Sequence, residues 1–179
     1  MTAQPPNALA TPEALREHLR FYYGKHLKQT GDLSQKACCT LDTSERYKEI
    51  FQHIPAAVAE RHYGCGCPIP EDDLTGLTVL DLGSGAGVDA FVMAYKVGPD
   101  GFVHGVDMTD EQLEVARRHA EEVARKFGYA KANTAFHKDF IEVCDAIPDS
   151  SIDLVISDCV LNLSPRKDLV FQTIARVLR

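Results

Sequence analysis

No run of about 18 apolar residues occurs in the 179-residue chain, so no segment reads as a membrane-spanning helix. Clusters of basic residues are missing as well. Lysine plus arginine is 19 against 26 acids, a net charge of -7. Phosphate binding draws on grouped cations, so nucleic acid is not expected as the main partner. The first dozen residues have neither a basic start nor an apolar core and carry Pro5, Pro6 and Pro12. They read as a loose tail, not an export signal. Internal repeats and low-complexity tracts are also lacking. Without export the chain is expected in a reducing cytoplasm, where structural disulfides rarely persist. Its 6 cysteines therefore call for a reason other than cross-linking.

What is present is enough apolar material for one core, 45% of residues, over a length that suits one domain with a short extension. Three regions are expected: a tail over 1–12, a helical extension with cysteine loops over 13–74, and an alternating βαβ domain over 75–179. Thr11, Pro12 and the rhythm of Leu15, Leu19 and Tyr22 describe an amphipathic helix with its cap. A further helix is expected from near Ser44 to near Gly64, interrupted at Pro55. The stretch Leu77 to Leu82 reads as a short apolar run, as in a strand buried on both faces. Further strands are expected at Gly101 to Val106, Thr134 to Phe136 and Ile152 to Ser157. Helices are expected at Ala90 to Lys96, from Thr109 to Gly128, and at Asp168 to Leu178. Thr109 and Gln112 have the spacing of a reciprocal capping pair. Four strands would leave an apolar edge and face of such a sheet open.

Between the first strand and its helix lies Leu82-Gly83-Ser84-Gly85-Ala86-Gly87. Glycines there let the backbone approach a ligand closely, and the helix start offers free amide donors. Asp107, closing the next strand, can accept the hydroxyls of a ribose. The dinucleotide fingerprint wants a third glycine where Val88 stands, and Asp81 puts a carboxylate where a pyrophosphate would be repelled. Both favour the cationic S-adenosylmethionine over a nicotinamide dinucleotide. An ordinary βα turn with solvated acids is the plainer alternative. Asp139, Phe140 and Ile141, just past the third strand, sit where an adenine could meet an acid and an apolar wall.

The cysteines stand at 38, 39, 65, 67, 144 and 159. Cys159 follows the fourth strand, at the sheet end where open α/β folds bind ligands. Cys38 and Cys65 lie in the helical extension, which could fold over that crevice as a lid. Three sulfurs beside a methyl donor would form a soft site for a thiophilic acceptor. Structural zinc suits Cys-x-x-Cys pairs, and the chain has Cys-Cys and Cys-x-Cys instead. Cys144 reads as a small buried hydrophobe, and Cys39 and Cys67 as accessory thiols.

The segments Leu33 to Cys39, Tyr63-Gly64-Cys65-Gly66, Leu80-Asp81-Leu82-Gly83-Ser84-Gly85, Gly105-Val106-Asp107-Met108-Thr109 and Ser157 to Leu163 together resemble the arsenite methyltransferases. The Tyr-Gly-Cys-Gly loop and the Cys-Val-x-Asn-Leu segment are the specific ones, since many methyltransferases share the others. The resemblance implies an α/β fold: a Rossmann-like class I methyltransferase sheet, truncated after its fourth strand, with a helical N-terminal extension. It also implies S-adenosylmethionine as methyl donor and an arsenite–thiol adduct as substrate, for arsenic detoxification, with glutathione or thioredoxin as the thiol reductant. The arsenic lone pair would attack the sulfonium methyl directly, without a general base. By motif, Cys38, Cys65 and Cys159 are the implied catalytic thiols. Cys65 and Cys159 would hold arsenic(III), and Cys38 would form or relay a disulfide with Cys65. The implied cofactor residues are Tyr63, Asp81, Gly83, Ser84, Gly85, Asp107, Met108, Phe140, Ile141 and Asp158. The family continues into a Pro-Gly-Gly strand and a C-terminal arsenic-binding region with another cysteine, so the likeness covers the front half of the usual enzyme. Two other readings use the same residues: a thiol sink that sequesters metalloid without turnover, and a methyltransferase for another small molecule.

Overall fold

The computed structural model describes residues 11–32, 47–64 and 66–179. The expectations for Leu33 to Cys39, the helix start near Ser44, Cys38, Cys39 and Cys65 lie outside the described residues.

The extension begins with α1 (Pro12–Phe21), capped by Thr11, whose hydroxyl accepts from the Ala14 N–H at 3.2 Å. A π-helical turn (Tyr22–His26) follows it. Pro55 does interrupt the second helical stretch. Lys48–Phe51 (α2) and Ala56–Ala59 (α3) are separate short helices, and Pro55 lies extended between them at ψ 143°.

The domain proper is a parallel sheet in the order β3-β2-β1-β4. Its strands are β1 (Thr78–Leu82), β2 (Phe102–Asp107), β3 (Thr134–Lys138) and β4 (Leu154–Ile156). Alternation along β1 sends Val79 and Asp81 to one face and Leu80 and Leu82 to the other. On the first face α4 (Val88–Val97) and α5 (Asp110–Lys126) close a core around Phe91, Met93, Val103 and Phe136. On the second, α6 (Lys167–Val177) covers Leu80, Leu82, Val106 and Ile152. Helix α4 is apolar nearly all round because α2 packs outside it; α3 packs on α5, which keeps one face in water and is strongly amphipathic. Helix α5 stops at Gly128, φ +81°, where the Tyr129 N–H bonds the Ala124 carbonyl and the Gly128 N–H bonds that of Arg125.

Two local expectations need correction. The fourth strand spans three residues, not six. The Asp153 carboxylate takes the Thr78 N–H at 2.8 Å, and Ile152 pairs instead with Leu178 at the end of α6. The Thr109–Gln112 capping exchange does not form. The Asp107 carboxylate accepts the Thr109 N–H at 2.8 Å, and the Gln112 amide donates to the Tyr23 carbonyl at 2.8 Å, tying the extension to α5. Among the described residues, no helix is long and apolar enough to cross a membrane.

Candidate active site

In a 3-2-1-4 sheet the connections leave β1 in opposite directions, toward β2 and toward β4, and a crevice opens at the carboxyl ends of those strands. The glycine turn follows β1 there, Asp107 ends β2, Asp139 to Ile141 follow β3, and Asp158 to Val160 follow β4. Tyr63, Asp81, Gly83, Ser84, Gly85, Asp107, Met108, Phe140, Ile141, Asp158 and Cys159 all line this one crevice.

The turn is held by its backbone. Gly83, Gly85 and Gly87 all have positive φ, +83°, +52° and +90°. The Gly83 and Ser84 N–H groups bond the Val106 carbonyl at 2.8 and 3.1 Å, and the Gly85 N–H donates to Asp107 Oδ2 at 3.0 Å. Asp107 thus locks the turn to β2 with one oxygen and starts α5 with the other. No Cβ at Gly83 means that Val160 can seat directly on the turn; an added Cβ would lie 2.7 Å from the Val160 Cβ. Cys159, one residue earlier, is held in the left-handed region at φ +57°, a costly posture for a non-glycine residue. The sulfur-bearing turn is therefore clamped to the glycine turn.

Cys159 is disulfide-bonded, so the expectation of reduced thiols throughout does not hold in this structure. Cys67 and Cys144 are free. Cys144 is fully buried, and burial pushes its thiol up to about 12, as suits a small hydrophobe.

The crevice is electrostatically one-sided. Asp81 is 3% exposed, and burial, then the nearby Asp89, Asp107 and Asp158, raise it well above the usual carboxylate range. Burial also raises Asp107, against the pull of the Thr109 hydroxyl and of its backbone donors. Asp81 Oδ2 and Ser84 Oγ have no hydrogen-bond partner among the described residues. Orphaned buried polar atoms of this kind suit a ligand that brings positive charge and donors.

Several residues at the crevice went unnoticed in the sequence. Arg16 of α1 lies over the Phe140 ring at 4.8 Å and reaches Glu142 Oε1 at 3.3 Å, while the Ser164 hydroxyl donates to the same oxygen at 2.7 Å. This holds α1 across the crevice. His62 and Asp89 meet with Nε2 and Oδ2 3.6 Å apart. Asp89 sits two residues past Gly87, in the first turn of the helix that the glycine turn opens, and that position was the one available signal. Arg16 and His62 carry no local mark, because tertiary packing alone brings them here.

A doubly wound sheet with a glycine turn, a ribose-competent acid and an acid-lined crevice defines a methyltransferase of the class I kind. Residues 73–179 match the family described as a methyltransferase domain, and the chain belongs to that family. An arsenite methyltransferase of Aquipseudomonas alcaligenes is 42% identical over 168 residues, 92% of this chain and 48% of the relative. The arsenite methyltransferase of Mus musculus is 39% identical over 171 residues, 93% of this chain and 45% of the relative. The crystal structure of an arsenic(III) S-adenosylmethionine methyltransferase from Chlamydomonas reinhardtii matches with a TM-score of 0.71 at 51% identity, over 73% of this chain and 44% of that one. The chain spans about half the length of the curated relatives it matches.

Proposed function

We propose that this chain is the cofactor-binding part of an arsenite methyltransferase, methylating trivalent arsenic presented as a thiol adduct. The observation that carries the reading is the seating of the Cys159–Val160 turn on Gly83, which places a sulfur-bearing turn against a glycine turn in an acid-lined crevice.

The crevice suits S-adenosylmethionine, which when bound supplies a methyl group on a positively charged sulfur. Asp107 would accept the ribose hydroxyls. Asp81 and Asp158 would face the cationic end, and the orphaned Ser84 hydroxyl would take a polar group. Gly83 and Gly85 allow close backbone approach, with Tyr63 and Met108 beside them and Phe140 and Ile141 as the apolar wall. Arg16, through Glu142 and Phe140, holds α1 over the crevice and limits water. An arsenic acceptor brings its own lone pair, so the chain needs no general base. Its work is to align and to dry the site. Cys65 and Cys159 would hold the arsenic and Cys38 would relay the disulfide. The disulfide at Cys159 must open first: two electrons and two protons from glutathione or a thioredoxin-like dithiol convert it to two thiols. A reducing, cytoplasmic setting would supply those electrons.

The test is methylation by the purified chain with arsenite, S-adenosylmethionine and glutathione. Cys159→Ser should abolish methylated product while cofactor affinity stays within about twofold, since a serine hydroxyl is a poor arsenic ligand. Loss of both together would make Cys159 structural. Arsenite and cofactor binding without any product would favour the metalloid sink. Activity that survives Cys159→Ser would point to another acceptor.

A further inference from the structure

The geometry points to a divalent-cation site formed by His62, Asp89 and Asp158, filled when the cofactor is absent and vacated when its positive end arrives. The last clause rests on the cofactor reading above; the site itself does not.

The three residues come from separate parts of the chain: the loop before Gly64, the first turn of α4 and the end of β4. One ligand atom from each, an imidazole nitrogen and two carboxylate oxygens, lies within 4.8 Å of the others. A single ion with metal–ligand bonds of about 2.0–2.2 Å brings its ligand atoms to about 3–4 Å from one another, so only a small inward shift is needed. Gly64 makes the convergence possible. A Cβ there would lie 2.8 Å from the Asp158 carboxyl carbon and 2.9 Å from His62 Nε2.

The polar atoms are also unspent. Asp89 is 7% exposed, and its Oδ1 has no hydrogen-bond partner among the described residues; His62 Nε2 has none either. Asp158 Oδ2 accepts one backbone N–H, from Gly66 at 3.2 Å, and keeps a lone pair. Asp81, buried beside them with one orphaned oxygen, offers a further acceptor. Arg16, on the same crevice, is engaged with Glu142. Two carboxylates neutralise a divalent ion, and the mixed nitrogen–oxygen set suits the manganese-to-zinc group.

The test uses Mn²⁺, which has little affinity for thiols and so does not report on the cysteines. Mn²⁺ would be titrated into the full chain and the free ion read by electron paramagnetic resonance. One ion per chain is expected. Asp89→Asn and His62→Gln should each weaken binding by about tenfold or more. Glu114→Gln, an exposed acid on α5, should not change it. No saturable binding, or binding indifferent to both site variants, overturns the site. In a second arm S-adenosylmethionine is added, with its own binding followed by calorimetry. Release of Mn²⁺ as the cofactor binds supports mutual exclusion, whereas both bound together overturns it. A cofactor that does not bind even without Mn²⁺ removes the cofactor reading and leaves the cation site standing on the first arm.

Discussion

Replacing Gly83 by alanine measures how firmly the sulfur-bearing turn is held on the glycine turn. Gly83 stands at φ +83°, where a Cβ costs about 1–2 kcal/mol. The new Cβ would also lie 2.7 Å from the Val160 Cβ and 2.8 Å from its Cγ1. Forcing a methyl into such a filled place costs about 1–3 kcal/mol. Together they amount to about 2–5 kcal/mol, a large share of the ~5–15 kcal/mol that holds a domain folded. A double-mutant cycle separates the two parts. In a Val160→Gly background the side-chain contact is gone and the backbone strain at Gly83 stays, so Gly83→Ala should cost only about 1–2 kcal/mol. Urea unfolding of the four proteins, with equal slopes checked, reads the difference. If Gly83→Ala costs the same in both backgrounds, Val160 is not seated on Gly83, and the link between sulfur and glycine turn fails.

Three further outcomes follow from the electrostatics of the crevice and the sheet. Asp107→Ala should weaken S-adenosylmethionine binding by about 2–3 kcal/mol, through lost charge-assisted bonds and a loosened turn; unchanged affinity by calorimetry would remove the assignment. Asp81 has its folded pKa raised, so the folded chain holds more protons than the unfolded one above pH 3.8, and stability should fall as pH rises through the raised value. Asp81→Asn should flatten that fall in melting curves taken from pH 4 to 8, and an unaltered slope would show that Asp81 ionises freely. His104 is the opposite case. Burial, then His137, lower it from 6.5 to about 4, so its contribution is complete above 6.5 and is lost as pH falls toward 4. His104→Gln should lessen the acid loss relative to wild type across that window, and identical melting profiles would count against the lowered pKa.

The legible parts of the fold were those set by local pattern. The apolar runs of β1 and β2 and the amphipathic rhythm of α5 announce buried parallel strands and a half-exposed helix. Parallel strands share one carboxyl edge, so residues just past each strand meet without any sequence contact between them. That is why Asp107, Phe140 and Cys159 could be assigned to one crevice, whereas Asp158 rested on the resemblance alone. The failures came where a distant acceptor outbid a local one. Thr109 and Gln112 had the right spacing, but Asp107 and the Tyr23 carbonyl were better placed. Asp153 shortened β4 by reaching Thr78 with its side chain. Arg16 and His62 enter the site from the extension, and nothing in their neighbours says where that extension docks.

The acids of the crevice set stability against function. Asp81 and Asp107 are both buried and raised, and Asp89 and Asp158 add charge of the same sign. Ionised together these groups repel one another inside the fold, so a bound cation is expected to stabilise the chain. Any cation that enters, whether a metal ion on His62, Asp89 and Asp158 or the positive end of a cofactor, gains affinity from relieving that repulsion. The same carboxylates that lower stability in the free chain therefore raise affinity in the bound one. Asp81→Asn should separate the two effects in one protein, with a higher melting temperature when empty and weaker binding of the cofactor. A variant that lost both would place Asp81 in the packing of β1 and not in the charge of the site.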